Sequence, residues 1–221
     1  MRNTAIDWDV CRGLAKKRDP LFLDETIKSI LSFQSEYSLG NAVALISNCS
    51  GKLVTSGMGK AGHVAKKASS SFSSLGIPSV YLHPGEASHG DIGVIQPQDI
   101  LLVFSTSGKT REVLETVHFA KNLNVSSVIS ITSHVDSEIR PLSDVVIDMG
   151  AIKESGHLNI APTTSIVVML IIADMLAVIS AEAKGFTMEG YAARHHSGYL
   201  GNKSRGEIGN ADDEPRPSTE S

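Results

Sequence analysis

Cysteine is scarce in this 221-residue chain: Cys11 and Cys49 stand far apart, with no CxxC pair. That excludes a disulfide scaffold or a thiolate zinc site and fits free thiols in a reducing cytoplasm. Basic excess is missing too, since 20 Lys and Arg against 24 Asp and Glu leave a formal net charge of -4. A chain of this balance is not built for nucleic acid as its main partner, and any anionic ligand must be recognised locally. No apolar run approaches the ~20 residues of a membrane helix, because Asp174 interrupts Ile166–Ala173. The charged, broken stretch Met1–Arg18 is no signal peptide. The hydroxyl-rich stretch Ser105–Glu112 is neither G-x-x-x-x-G-K-[ST] nor G-x-G-x-x-G, and no internal repeat is found. One domain with a sizeable core is expected, lodged in the cytoplasm and needing no membrane.

What is present alternates. Apolar positions from Leu21 to Phe33 and from Asn41 to Ser47 recur at helical spacing, predicting two helices ahead of the first strand, Lys52–Ser56. Strands follow at Ser79–His83, Ile100–Phe104, Ser127–Thr132 and Val145–Met149. Between them lie a small-residue helix ending at Gly76, a helix over Arg111–Asn122 and a shorter one over Asp136–Arg140. A long apolar helix entered at Thr163 or Thr164 and ended by Gly185 comes last, central to the fold or buried against another subunit. Strands separated by helices at this spacing predict a doubly wound α/β sheet, whose ligands bind at the carboxyl ends of the strands. From residue 201 to 221 the composition turns polar, with almost no large apolar residues, which predicts a disordered tail.

Ser105-Thr106-Ser107-Gly108-Lys109-Thr110 sits at one such end, between a buried strand and a helix. Gly108 lets the backbone close around an anion, the new helix offers unpaired N–H groups, and three hydroxyls add donors. The same residue types also make an ordinary helix cap, so the stretch alone leaves phosphate cradle and cap evenly matched. Lys60, between two glycines beyond the first strand, opposes a helix dipole, a placement that favours a functional role. Glu112 is an acid in a first helical turn, and Glu154 lies in a loop at the same sheet edge. Glu112 needs no function to be favourable there. The histidines His83, His89 and the pair His195-His196 match no compact metal spacing, and no metal or cofactor is expected. A phosphate cradle, a lysine, two glutamates and a histidine on one edge suit an aldose-ketose isomerase, in which a base moves a proton and a cation steadies the enediolate.

Several runs resemble the sugar isomerase (SIS) domain family, and within it the D-arabinose 5-phosphate isomerase subfamily. They are Gly57-Met58-Gly59-Lys60-Ala61-Gly62-His63, His83-Pro84-Gly85-Glu86-Ala87-Ser88-His89-Gly90-Asp91, Ser105-Thr106-Ser107-Gly108, Lys153-Glu154, Ala161-Pro162-Thr163-Thr164-Ser165 and Gly185-Phe186-Thr187. The resemblance implies a five-stranded parallel sheet flanked by helices, a flavodoxin-like three-layer sandwich over residues 1–200, with N-terminal helices within 1–50. It implies Lys60, Glu112, Glu154 and His195 as the catalytic set, with Glu112 as the base. The phosphate would be held by Ser105, Ser107 and Thr110; Ser56, Gly57, His89, Thr106, Gly108 and Thr163 complete the expected substrate contacts. The family's H-P-G-G run reads His195-His196-Ser197-Gly198 here. Members commonly carry two C-terminal CBS modules, and a stand-alone isomerase domain is expected here. The resemblance further implies a homotetramer in which His195 serves a neighbouring subunit's site, and a product that feeds synthesis of Kdo for lipopolysaccharide or capsule. The alternatives are another sugar-phosphate isomerase, of the phosphoheptose type, and a non-catalytic module that senses sugar phosphates.

Overall fold

The computed structural model describes residues 8–31 and 36–206. Five strands, β1 (Leu53–Gly57), β2 (Ser79–Leu82), β3 (Ile100–Phe104), β4 (Ser127–Thr132) and β5 (Val145–Asp148), form one sheet in the order β2-β1-β3-β4-β5. Every pairing is parallel. The helices are α1 (Trp8–Leu31), α2 (Glu36–Asn48), α3 (Gly59–Ser74), α4 (Pro84–Ala87), α5 (Arg111–Asn122), α6 (Thr164–Ala183), α7 (Met188–Ala192) and α8 (Gly198–Ser204). This is the expected flavodoxin-like sandwich, and its strand order reverses between β1 and β3.

Alternation along the strands builds two cores. Leu53, Ile100, Leu102, Phe104, Ile129 and Ile131 point to one face, where they meet Ile46, Phe72, Val168, Ile172 and Leu176 from α2, α3 and α6. Val54, Leu101, Val103 and Val128 point to the other, against Val113, Val117 and Ala120 of α5. Both faces being covered explains why β3 reads as an unbroken apolar run and why β1, which includes Thr55 and Ser56, is buried at every position.

Helix α6 is the central strut. It is long and apolar enough to cross a bilayer by length and composition, with a mean hydropathy of 2.3 over its 18-residue window. This corrects the expectation from the apolar run, since a single Asp174 does not lower the average enough. Its apolarity serves the core: ten of its residues are buried, and Asp174 is ion-paired with Lys67 of α3. Val178 and Ile179 remain exposed near its end.

Four expectations need correction. Helix α1 begins at Trp8, well before Leu21, because Pro20 and the scattered charges around it hide the helix in the sequence; Phe33 lies outside the described residues. Asp136–Arg140 is not a helix but a turn leading to a 3-10 turn at Arg140–Leu142. Five residues bounded by Pro141 are too few to nucleate one, and Ser137 and Ile139 pack on Gly108 instead. Helix α6 is not the last, since Thr187 caps α7 by accepting from Gly190 N at 3.2 Å, and α8 follows. Residues 201–204, expected as tail, complete α8, and residues 207–221 lie outside the described residues. Of the two cysteines, Cys49 is a free, partly buried thiol, while the side chain of Cys11 lies outside the described ones.

A polar latch ties the amino ends of the strands. Asp99, 1% exposed, accepts from Lys52 N (2.8 Å), Lys52 Nζ (2.5 Å) and Gln96 N (2.8 Å). A Cβ at Gly51 would strike the Asp99 carboxylate, so only glycine lets the chain pass so close. Burial by itself would raise the Asp99 pKa, but the Lys52 ammonium and the backbone N–H donors outweigh it and hold the carboxyl below its ordinary 3.8.

Two predictions concern stability. Asp99→Ala leaves two N–H groups and a partly exposed ammonium without their acceptor, and should cost about 2 kcal/mol in urea unfolding at pH 7. Because the folded pKa is depressed, that difference is full above the ordinary value of 3.8 and shrinks as pH falls through the lower folded value. Gly108 has φ +62, and a Cβ there would fall on the Ser137 hydroxyl. Gly108→Ala should therefore lower stability by about 1–3 kcal/mol, read as a drop in Tm.

Candidate active site

Parallel pairing aligns Gly57 at the end of β1 with Phe104 at the end of β3. The chain leaves both strands at the same sheet edge, and a cavity of about 610 Å³ opens there. It is lined by Lys60 from the start of α3, by Ser105, Thr106, Ser107 and Thr110 from the β3–α5 turn, and by Glu154 and Lys153 from the loop after β5. His134, after β4, also faces it, with Ile152, Asn159, Ile160 and Pro162 forming the wall.

The β3–α5 turn is held from within and from the side. Ser105 is buried, and its Oγ accepts from Gly108 N at 3.1 Å and lies 3.5 Å from Thr110 Oγ1. Ser107 Oγ accepts from Lys109 N at 3.3 Å. Thr106 O accepts from Ser133 N (3.0 Å) and Thr132 Oγ1 (3.2 Å), while Gly108 O accepts from Ile139 N (3.1 Å), so the β4 loop props the turn. The first N–H groups of α5 have no intrahelical acceptor and open toward this end, the arrangement an anion requires. Lys109 does not contribute its charge to the cradle, since it pairs with Asp136 at 2.5 Å. The hydrogen bond from that ammonium holds the Asp136 carboxyl below its ordinary range.

Of the three charged groups that line the cavity, Lys60 and Glu154 differ most in their freedom. Lys60 is exposed, and no ion pair fixes it among the described residues. Glu154 is fixed: its Oε2 accepts from Thr163 N (2.8 Å), Thr163 Oγ1 (3.2 Å) and Ser165 N (3.2 Å). Glu154 thus caps α6, while Thr163, at the N-cap position, makes no side-chain cap of its own. Asn159, at φ 51, closes the loop when its amide nitrogen faces the carbonyls of Glu154 (3.0 Å) and Gly156 (2.9 Å).

Other expected site residues lie elsewhere in this chain. Glu112 is half-buried in the first turn of α5 and does not line the cavity. Ser56 is fully buried and its Oγ donates to Leu82 O at 2.8 Å, a link between β1 and β2. Gly57 contributes backbone, with its carbonyl accepting from Tyr81 Oη at 3.2 Å. His89 is exposed in the turn after α4, outside the cavity. His195 Nδ1 lies 2.9 Å from Tyr191 O and must donate to it, leaving Nε2 to meet Ser74 Oγ at 2.8 Å. Its ring stacks on Tyr191 with centroids 3.8 Å apart. Ser74 ends α3 and Lys60 begins it, so about 21 Å of helix separates His195 from the cavity of its own chain. His134 and Lys153 were overlooked as lining residues in the sequence, although the rule that ligands bind at strand carboxyl ends applies equally after β4 and β5.

The chain is 41% identical to the arabinose 5-phosphate isomerase KdsD of Escherichia coli (strain K12), over 70% of this chain and 47% of that protein. It is 41% identical to KdsD of Pseudomonas aeruginosa, over 69% of this chain and 47% of that one. The chain thus spans about half the length of the curated relatives it matches. Among solved structures, a proposed phosphosugar isomerase involved in capsule formation from Bacteroides fragilis is 44% identical with a TM-score of 0.78, covering 81% of this chain and 96% of that chain. Escherichia coli CFT073 c3406, solved in complex with A5P, is 29% identical with a TM-score of 0.77, covering 88% of this chain and all of that one. Residues 45–179, from the end of α2 through most of α6, match the SIS domain model, and the chain belongs to the SIS domain family.

Proposed function

We propose that this chain is an aldose-ketose isomerase interconverting D-ribulose 5-phosphate and D-arabinose 5-phosphate. The observation that carries the reading is one cavity shared by an anion cradle at 105–110, a mobile ammonium on Lys60 and a fixed carboxylate on Glu154. The relatives named KdsD and the A5P complex of c3406 support the choice of sugar. The product would enter Kdo synthesis for lipopolysaccharide or capsule, in the cytoplasm.

The chemistry needs no oxidant. A base removes a proton from C1 of the ketose, leaving an enediolate across C1 and C2. The proton returns to C2 while the hydroxyl proton moves from O1 to O2, and C1 becomes the aldehyde. Anchoring the C5 phosphate in the cradle orients the reacting carbons. Lys60 opposes the charge developing on the enediolate oxygen. Glu154 accepts hydroxyl protons at the cavity wall. Glu112 remains the proposed base and His195 the proposed partner in hydroxyl transfer and ring opening. Since His195 does not line the cavity of its own chain, it is assigned to a neighbouring subunit's site in a homotetramer.

Incubating the purified protein with ribulose 5-phosphate and resolving the products by chromatography should yield arabinose 5-phosphate; a heptose or hexulose phosphate isomerase would leave the pentose unchanged. Lys60→Ala should lower kcat about 100-fold or more. Mixing inactive Lys60→Ala with inactive His195→Ala should restore turnover through sites that draw the lysine from one copy and the histidine from another. Demonstrably mixed oligomers without recovery would contradict the shared site.

A further inference from the structure

Thr163 was expected among the substrate contacts, but its hydroxyl is already committed. Thr163 Oγ1 accepts from Ser155 N at 2.9 Å. Its one proton is then available to two acceptors at 3.2 Å, Glu154 Oε2 and Ser155 O. Thr163 N donates to the same Glu154 oxygen at 2.8 Å and Ser165 N does so at 3.2 Å. Beneath them, Ser155 Oγ and Thr164 Oγ1 are hydrogen-bonded at 2.8 Å, both buried. Nine residues of loop are thereby closed onto the first turn of α6, and the closing knot is the Glu154 carboxylate.

The two oxygens of that carboxylate are unequal. Three donors converge on Oε2, whereas no donor among the described residues reaches Oε1, and Glu154 lines the cavity. Glu154 has three side-chain torsions, and an unbraced glutamate on an exposed loop would sample many rotamers. We propose that Thr163 is a positioning residue: it saturates Oε2, locks the Glu154 side chain, and leaves Oε1 as the one oxygen presented to the sugar. Held this way, Oε1 faces the cavity as the acceptor for a substrate hydroxyl proton. Thr163 itself touches no substrate. The inference deepens the isomerase reading and rests on it for the identity of the sugar.

The test is Thr163→Val, which keeps the shape and removes the hydroxyl, beside Thr163→Ser, which keeps the hydroxyl. Positioning predicts that Thr163→Val lowers kcat about 10- to 100-fold. The Kd for arabinose 5-phosphate by titration calorimetry stays within about twofold, and Thr163→Ser restores most of kcat. A substrate contact predicts the reverse, a weakened Kd with kcat largely kept, and that result overturns the proposal. Crystal structures of the wild type and Thr163→Val read the brace without any assay. Glu154 should hold one conformer in the first and leave it in the second; an unmoved Glu154 in Thr163→Val also overturns the proposal. If the wild type turns over no pentose phosphate, the isomerase reading fails while the crystal comparison still decides the brace. Thermal melts of both variants identify any loss that comes from unfolding, and if Thr163→Val does not fold, Thr163→Ala carries the same comparison.

Discussion

The parallel pairing of β1 with β3 is the constraint on which the rest depends. Because the strand order reverses between them, the chain leaves β1 toward α3 and leaves β3 toward α5, on opposite faces of the sheet. The register sets Gly57 beside Phe104, so the two departing loops are neighbours at one edge. Neither loop can close over the gap, since each is carried to a different face, and the cavity is the space left between them. The side chains that fill this edge are therefore chosen by topology before chemistry.

Polar braces then convert loose loops into a site. Ser105 and Gly108 form the β3–α5 turn, and the Ser137 to Ile139 segment packs against it so tightly that only glycine fits. Glu154 and Thr163 do the equivalent for the loop between β5 and α6. Lys60 is left unbraced, which suits a long cation that must follow charge as it moves between oxygens. At the opposite sheet edge the Asp99 latch fixes the strand starts, so the register that defines the cavity is held from both ends.

Much of this was legible in the sequence where a single physical signal dominated. β3, α5 and β4 occupy the residues expected, because buried parallel strands are continuous apolar runs and α5 has a clear 3.6-residue period. The convergence of Lys60, Ser105, Ser107, Thr110 and Glu154 followed from the strand-end rule alone. Other features depend on contacts that no local pattern encodes. Ser56 sits in a strand buried on both faces, so alternation could not tell whether its hydroxyl meets a ligand or Leu82. In the sequence Glu154 is only a loop acid at the sheet edge, while the structure makes it the cap of a helix that begins ten residues later. The place of His195 beside Ser74 joins residues 121 apart in sequence, beyond the reach of any window.

The central claim is that the cradle at 105–110 and the Lys60–Glu154 wall hold the two ends of one sugar phosphate. A crystal structure with arabinose 5-phosphate bound tests it most directly. The account predicts phosphate oxygens within hydrogen-bond distance of Ser107, Thr110 and the first N–H groups of α5, with C1 and C2 directed toward Lys60 and Glu154. A sugar whose phosphate lies outside the 105–110 turn, or whose C1 and C2 face away from Lys60 and Glu154, would contradict it.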